Sequence, residues 1–109
     1  MEIRTKPGDV EVKNYFQELN KAFESRVRLG IMSSLMVNDY MDFNTLKELL
    51  DLSDGNLAGH ARALEQAGYL CVEKSFVGRK PNTRFSITEE GRKAFEQHLE
   101  LLNKIIKTM

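Results

Sequence analysis

Apolar residues recur at steps of three and four from Phe16 through Leu19, Phe23, Val27 and Ile31 to Leu35. That spacing places them on one stripe of helix. Ser25 is able to cap a fresh helix within the run, so the pattern fits one long helix or two shorter ones broken near Glu24-Ser25. Asn38-Asp39 ends it as a turn signal. Asn44 is the expected cap of a short helix with Leu46, Leu49 and Leu50 on its apolar side, interrupted at Leu52-Ser53-Asp54-Gly55. Ser53 or Asp54 caps a third helix, roughly Asp54 to Ala67, whose inward positions are Leu57, Ala61 and Leu64. Gly68 stands just past its end, where a left-handed residue stops a helix without steric cost.

The period then falls to two. Tyr69 to Phe76 puts Leu70 and Val72 on one face and Cys71 and Glu73 on the other; Arg84 to Ile87 repeats the alternation. Between them VGRKPNT, with Gly78 and Pro81, predicts an antiparallel hairpin with a long basic loop. Thr88 caps a last helix to about Lys107, with Glu89 and Glu90 in its first turn and Lys104 and Lys107 near its end, all favourable with the helix dipole. Residues 1–9, closed by Pro7-Gly8, are expected to form a loose tail. The predicted fold is α+β: a three-helix core, a β-hairpin wing and a long C-terminal helix, in one domain over residues 1–109.

A short helix, a tight turn and a second helix form a helix-turn-helix, and an α-helix fits the major groove of DNA. With Leu57, Ala61 and Leu64 turned inward, Asn56, Gly59, His60, Arg62, Ala63 and Gln66 remain outside on the third helix. Gly55, Gly59 and Ala63 are small, which permits close approach, and asparagine pairs bidentately with adenine. Ser53 adds a hydroxyl near the helix N-terminus, where free N–H groups face a backbone phosphate. Lys74, Arg79, Lys80 and Arg84 cluster on the hairpin, with Asn82 and Thr83 as uncharged donors. Such a wing neutralises phosphates or enters the minor groove.

Charge sharpens this picture only when it is sorted by segment. The 109 residues carry 16 basic and 16 acidic side chains, which argues against non-specific coating of nucleic acid. From Ser53 to Arg84, however, five basic residues face three acidic ones, leaving the segment at +2. Composition is that of a soluble globular protein, 41% hydrophobic and 29% charged. No apolar run approaches a bilayer span, so no membrane partner is expected. The polar N-terminus is not a secretory signal, and the single cysteine, Cys71, fits a reducing cytoplasm.

SDGNLAGHARALEQAGYL, GRKPNTRF and ITEEGRKAF, in this order, resemble the small winged-helix regulators related to the MarR and ArsR groups. The resemblance covers roughly residues 25 to 100. It implies a winged-helix fold, DNA binding through the Asn56 to Gln66 helix and the Arg79 to Arg84 wing, and dimerisation through terminal helices. The cysteine and histidine clusters of metal-sensing members are missing, so neither metal nor cofactor is expected.

The last helix carries Phe95, Leu99, Leu102 and Ile106, with Leu101 and Ile105 beside them, a wide apolar surface for one side of a lone helix. Paired with Phe16, Leu19 and Phe23, it suggests a homodimer interface built from residues 10–24 and 89–108. His98 is expected at an interface or surface, and His60 at a groove or phosphate contact; neither has a neighbour at zinc spacing. Met32, Met36 and Met41 read as core filling, and Cys71 as a small residue on a strand face. No glycine-rich phosphate loop, HExxH or nucleophile elbow is present, so no catalytic residue is assigned. The expected function is sequence-specific binding of double-stranded DNA by a dimeric transcriptional regulator. The rival is a winged-helix module that binds only protein.

Overall fold

The computed structural model describes residues 6–108. Helix α1 (Pro7–Glu18) is followed by a 3-10 turn (Lys21–Phe23), α2 (Arg26–Met36), β1 (Met41–Asp42), α3 (Phe43–Leu50), α4 (Asp54–Gln66), β2 (Leu70–Val77), β3 (Lys80–Ile87) and α5 (Glu89–Thr108). Most of the expected tail thus lies outside the described residues. Pro7 opens a helix instead of closing a tail, since its fixed φ and missing N–H suit the first helical position.

Of the two readings of the N-terminal stripe, the broken one is found. The amide of Leu19 donates to Phe16 O at 3.2 Å as α1 ends. Asn20 is extended and its Oδ1 accepts from the Ala22 amide at 2.9 Å. Ser25 Oγ then accepts from the amides of Val27 and Arg28 at 3.2 and 3.3 Å, starting α2. The break rotates the stripe: Phe16 is exposed, whereas Phe23 is sealed in the core.

The three strands form one antiparallel sheet in the order β1-β3-β2. Strand β1 was not foreseen. Its pairing of Met41 with Phe85 and Asp42 with Arg84 keeps the chain extended through Asp42. Helix α3 therefore starts at Phe43, with Asp42 at the cap position expected for Asn44. Leu49, assigned to the apolar side, is exposed; Leu46 is buried and Leu50 rests against Gly30. Asp51 ends α3 with φ 53°, and Ser53 caps α4 by accepting from the Asn56 amide at 3.2 Å.

The hairpin differs most from expectation. Val77 pairs with Lys80, so the expected seven-residue loop is a two-residue turn, Gly78-Arg79. Gly78 has φ 66° and Arg79 has no positive φ, the pattern of a type II′ turn. Pro81 sits within β3 opposite Phe76. In such a hairpin the pair beside the turn exchanges both ladder bonds and the next pair exchanges none. Pro81 therefore loses no bond to β2, and β1 does not extend far enough to need its N–H.

Phe23, Ile31, Met32, Leu35, Leu46, Leu57, Leu64 and Phe95 are fully buried and join α2, α3, α4 and α5 in one core, with Leu70 and Phe85 from the sheet. Met36 and Met41 pack against it. Thr88 fastens α5 to this body: its Oγ1 accepts from the Gly91 amide at 2.9 Å and donates to Gly68 O at 2.7 Å. Helix α1 packs along α5. Together they make the molecule long, 63 × 29 × 21 Å, with a radius of gyration of 17.1 Å, against about 13 Å for a compact domain of ~100 residues.

Candidate nucleic-acid interface

The inward residues of α4, Leu57, Ala61 and Leu64, fix how the rest of the helix is presented. Gly55, Gly59 and Gln66 fall farthest from the core. Arg62 turns toward the hairpin, and Asn56, Ala63 and His60 turn toward α2. Asn56, Gly59 and Arg62 are exposed, and Ala63 and His60 half-buried. A Cβ at Gly55 or at Gly59 would meet nothing within 4 Å, so packing does not require glycine at either place. What the two glycines provide is a low outer surface on the helix. Lys47 Nζ reaches Asp54 Oδ1 at 2.8 Å, tying α3 to the start of α4.

The hairpin stands beside α4. A cleft of about 230 Å³ separates them, lined by Ala58, Arg62 and Glu65 of the helix and Val72, Lys74 and Thr83 of the sheet. Two cations, Arg62 and Lys74, thus line the cleft from its two sides. Arg79 and Lys80 are exposed at the tip.

Two expected donors are already engaged. Arg84 lies midway along the hairpin, where its Nε meets Glu73 Oε2 at 3.3 Å and its guanidinium stacks 4.0 Å above the Tyr40 ring. Cross-strand pairing of Arg84 with Glu73 explains this. Asn82 Nδ2 donates to Asp42 Oδ1 at 3.3 Å, a link made by the unforeseen β1. Ser53 Oγ accepts as the α4 cap, which leaves its hydroxyl hydrogen free to donate. The site also holds residues that sequence reasoning missed. Phe76 and Val77 are 73% and 67% exposed near the tip. Arg28 bonds to His60, joining α2 to α4, and no local pattern announces a partner 32 positions away.

The expected interface residues separate into two groups. Phe23 and Phe95 are each 1% exposed and meet edge-to-face at 5.2 Å, so they have no surface left for a partner. Phe16, Leu99 and Ile106 are exposed on α1 and α5, joined by Val10, while Leu19 and Leu102 are half-buried. His98 is not a surface residue. It is 4% exposed, its Nδ1 accepts from the Asn20 amide at 3.2 Å, and its ring lies against Phe23. Burial holds its pKa below the ordinary 6.5, against a smaller upward pull from Glu24.

Residues 27–106 match the family model described as a winged helix DNA-binding domain. The chain belongs to that family. A transcriptional regulator homologue from Pyrococcus horikoshii superposes with a TM-score of 0.79 at 32% identity, covering 90% of this chain and 95% of the other. A transcriptional regulator of the MarR family from Enterococcus faecalis superposes at 0.66 with 17% identity, over 94% and 89% of the two chains, a likeness of fold. An uncharacterised protein of Methanocaldococcus jannaschii is 37% identical over 89 residues, 82% of this chain and 97% of that one. The winged helix-turn-helix reading holds: the chain is a winged-helix DNA-binding domain, and its fold is that of the MarR-family regulator. No helix among the described residues is long and apolar enough to cross a membrane.

Proposed function

We propose that this winged-helix domain is a homodimeric regulator that reads double-stranded DNA by sequence. Helix α4 enters the major groove, with Asn56, His60 and Arg62 as contacts and Gly59 and Ala63 permitting close approach. The hairpin tip, Arg79 and Lys80, lies on the adjoining backbone or minor groove, and Lys74 and Thr83 face phosphate from the cleft. The observation that carries this reading is a low, uncharged helix surface on the same body as a cationic hairpin: Gly55 and Gly59 lie open on α4, Arg62 and Lys74 line the cleft between α4 and the hairpin, and Arg79 and Lys80 are exposed at the hairpin tip. Groove entry requires the first, and phosphate neutralisation the second.

The dimer rests on Val10, Phe16, Leu99 and Ile106, large apolar side chains exposed along the α1/α5 arm. A two-fold pair of such arms would set two α4 helices about one turn of DNA apart, roughly 34 Å. One observation favours a second reading. Exposed Phe76 and Val77 would suit the hairpin to a protein partner instead.

Selection of bound molecules from a pool of random duplexes, followed by sequencing, separates the two readings. Convergence on a two-fold symmetric motif supports the dimeric reader. Binding without convergence, or none, contradicts sequence-specific recognition.

A further inference from the structure

Arg28 ends against a histidine of the groove helix. Its Nε donates to His60 Nδ1 at 3.1 Å, and its Nη1 donates to Ala22 O at 3.4 Å. The guanidinium is therefore held from two sides, by the 3-10 turn and by α4. A guanidinium has donors only and keeps its proton at any working pH. A ring nitrogen that faces it must accept, so Nδ1 carries no hydrogen, and the proton of the neutral imidazole lies on Nε2. Ring geometry points Nε2 away from Arg28. Among the described residues Nε2 has no hydrogen-bond partner, and no side-chain nitrogen or oxygen is buried without one. Nε2–H therefore opens to solvent on the α2 side of α4.

We infer that Arg28 is a positioning residue that locks His60 as an outward Nε2–H donor, restricting what this side chain reads on DNA to hydrogen-bond acceptors. This rests on the groove-helix reading above. A free histidine offers either a donor or an acceptor, whereas His60 held by Arg28 offers only the donor. Such a donor pairs with purine N7, guanine O6, thymine O4 or a phosphate oxygen. It does not pair with the amino groups of adenine or cytosine. Arg28 thus selects against two base edges without approaching DNA itself.

The first test uses the free 109-residue chain. The 15N shifts of the His60 ring should show Nδ1 bare and Nε2 protonated at neutral pH. Arg28→Met keeps much of the aliphatic stem and removes the donor, so both tautomers should then be populated. A wild-type Nδ1–H tautomer, or an unchanged tautomer in Arg28→Met, overturns the lock.

The second test scans the selected duplex with acceptor-deleted groups: 7-deazapurines, 2-aminopurine for guanine and 5-methyl-2-pyrimidinone for thymine at base edges, methylphosphonates along the backbone. At one position the deletion should weaken wild-type binding about fivefold, the scale of one hydrogen bond, and leave His60→Ala binding unchanged. Coupling to a base analogue places the acceptor on a base, and coupling to a methylphosphonate places it on the backbone. Absence of coupling everywhere overturns the DNA half of the inference. Failure of the wild type to bind any duplex overturns the groove reading as well, and the tautomer measurement distinguishes the two failures because it needs no DNA.

Discussion

Gly91 lies so close to Tyr69 that a Cβ at position 91 would stand 2.9 Å from the Tyr69 carbonyl carbon and overlap its oxygen. The same turn of α5 is fixed by Thr88, whose own amide donates to Tyr69 O at 3.0 Å. Backbone meets backbone here, so no flexible side chain can yield. Gly91→Ala should destabilise the protein by about 2–3 kcal/mol, despite alanine's better helix propensity. Urea unfolding checks this, and unchanged stability would show that α5 is free to shift from β2.

His98 makes stability depend on pH. Its neutral Nδ1 accepts the Asn20 amide in a buried site, and its pKa is lowered below the 6.5 of the unfolded chain. At falling pH the unfolded chain takes up this proton first. The stabilising effect is present above pH 6.5 and is lost as pH falls through the lower folded value. His98→Asn retains an acceptor and does not titrate. Urea midpoints between pH 7.5 and 5.5 should fall more for the wild type than for this variant; parallel curves would refute the assignment.

Gly59 separates folding from binding. A Cβ there meets nothing, and replacing a helix-interior glycine by alanine stabilises by about 0.5–1 kcal/mol. Gly59→Ala should therefore raise the unfolding midpoint and weaken duplex binding, because the added methyl stands on the surface that approaches the groove. A gain in both would show that this face does not come close to DNA.

Asn56 and Arg79 should fail in different ways. Asn56→Ala is expected to change preference among sequences, by about 1–3 kcal/mol at the affected base. Arg79→Ala should weaken binding to all sequences and reduce the slope of log affinity against log salt by about one. Selection profiles distinguish the first, and salt titrations the second.

Ile106 tests the α1/α5 arm. It is exposed, so Ile106→Glu should leave the fold intact and convert a dimer to a monomer by sedimentation. A variant that sediments like the wild type would place the interface elsewhere.

Much of this architecture is legible from short-range patterns. Leu57, Ala61 and Leu64 orient α4, and Ser53 and Thr88 mark helix starts through side chains that bond only a few residues away. What remained hidden depends on distant pairing. The bond between Asn82 and Asp42 spans 40 positions and engages one of the two Asn82 amide donors, and β1 moves the start of α3. Pro81 and Gly78 read as a loop because the position that tolerates proline is set by the register of the turn together with where β1 stops. Periodicity marked Phe23 and Phe95 as apolar-facing, but it does not distinguish a residue's own core from a partner's surface. His98 was misplaced for the same reason, since its acceptor role depends on Asn20, 78 positions earlier.

The most direct test of DNA recognition is fluorescence anisotropy of the full chain on labelled random duplex at 50 and 200 mM salt. Phosphate contacts from Lys74, Arg79 and Lys80 predict saturable binding at the lower salt and a steep loss at the higher, about 40-fold for three neutralised phosphates. No binding at 50 mM salt would contradict the account and turn the hairpin, with Phe76 and Val77 exposed near its tip, toward a protein partner.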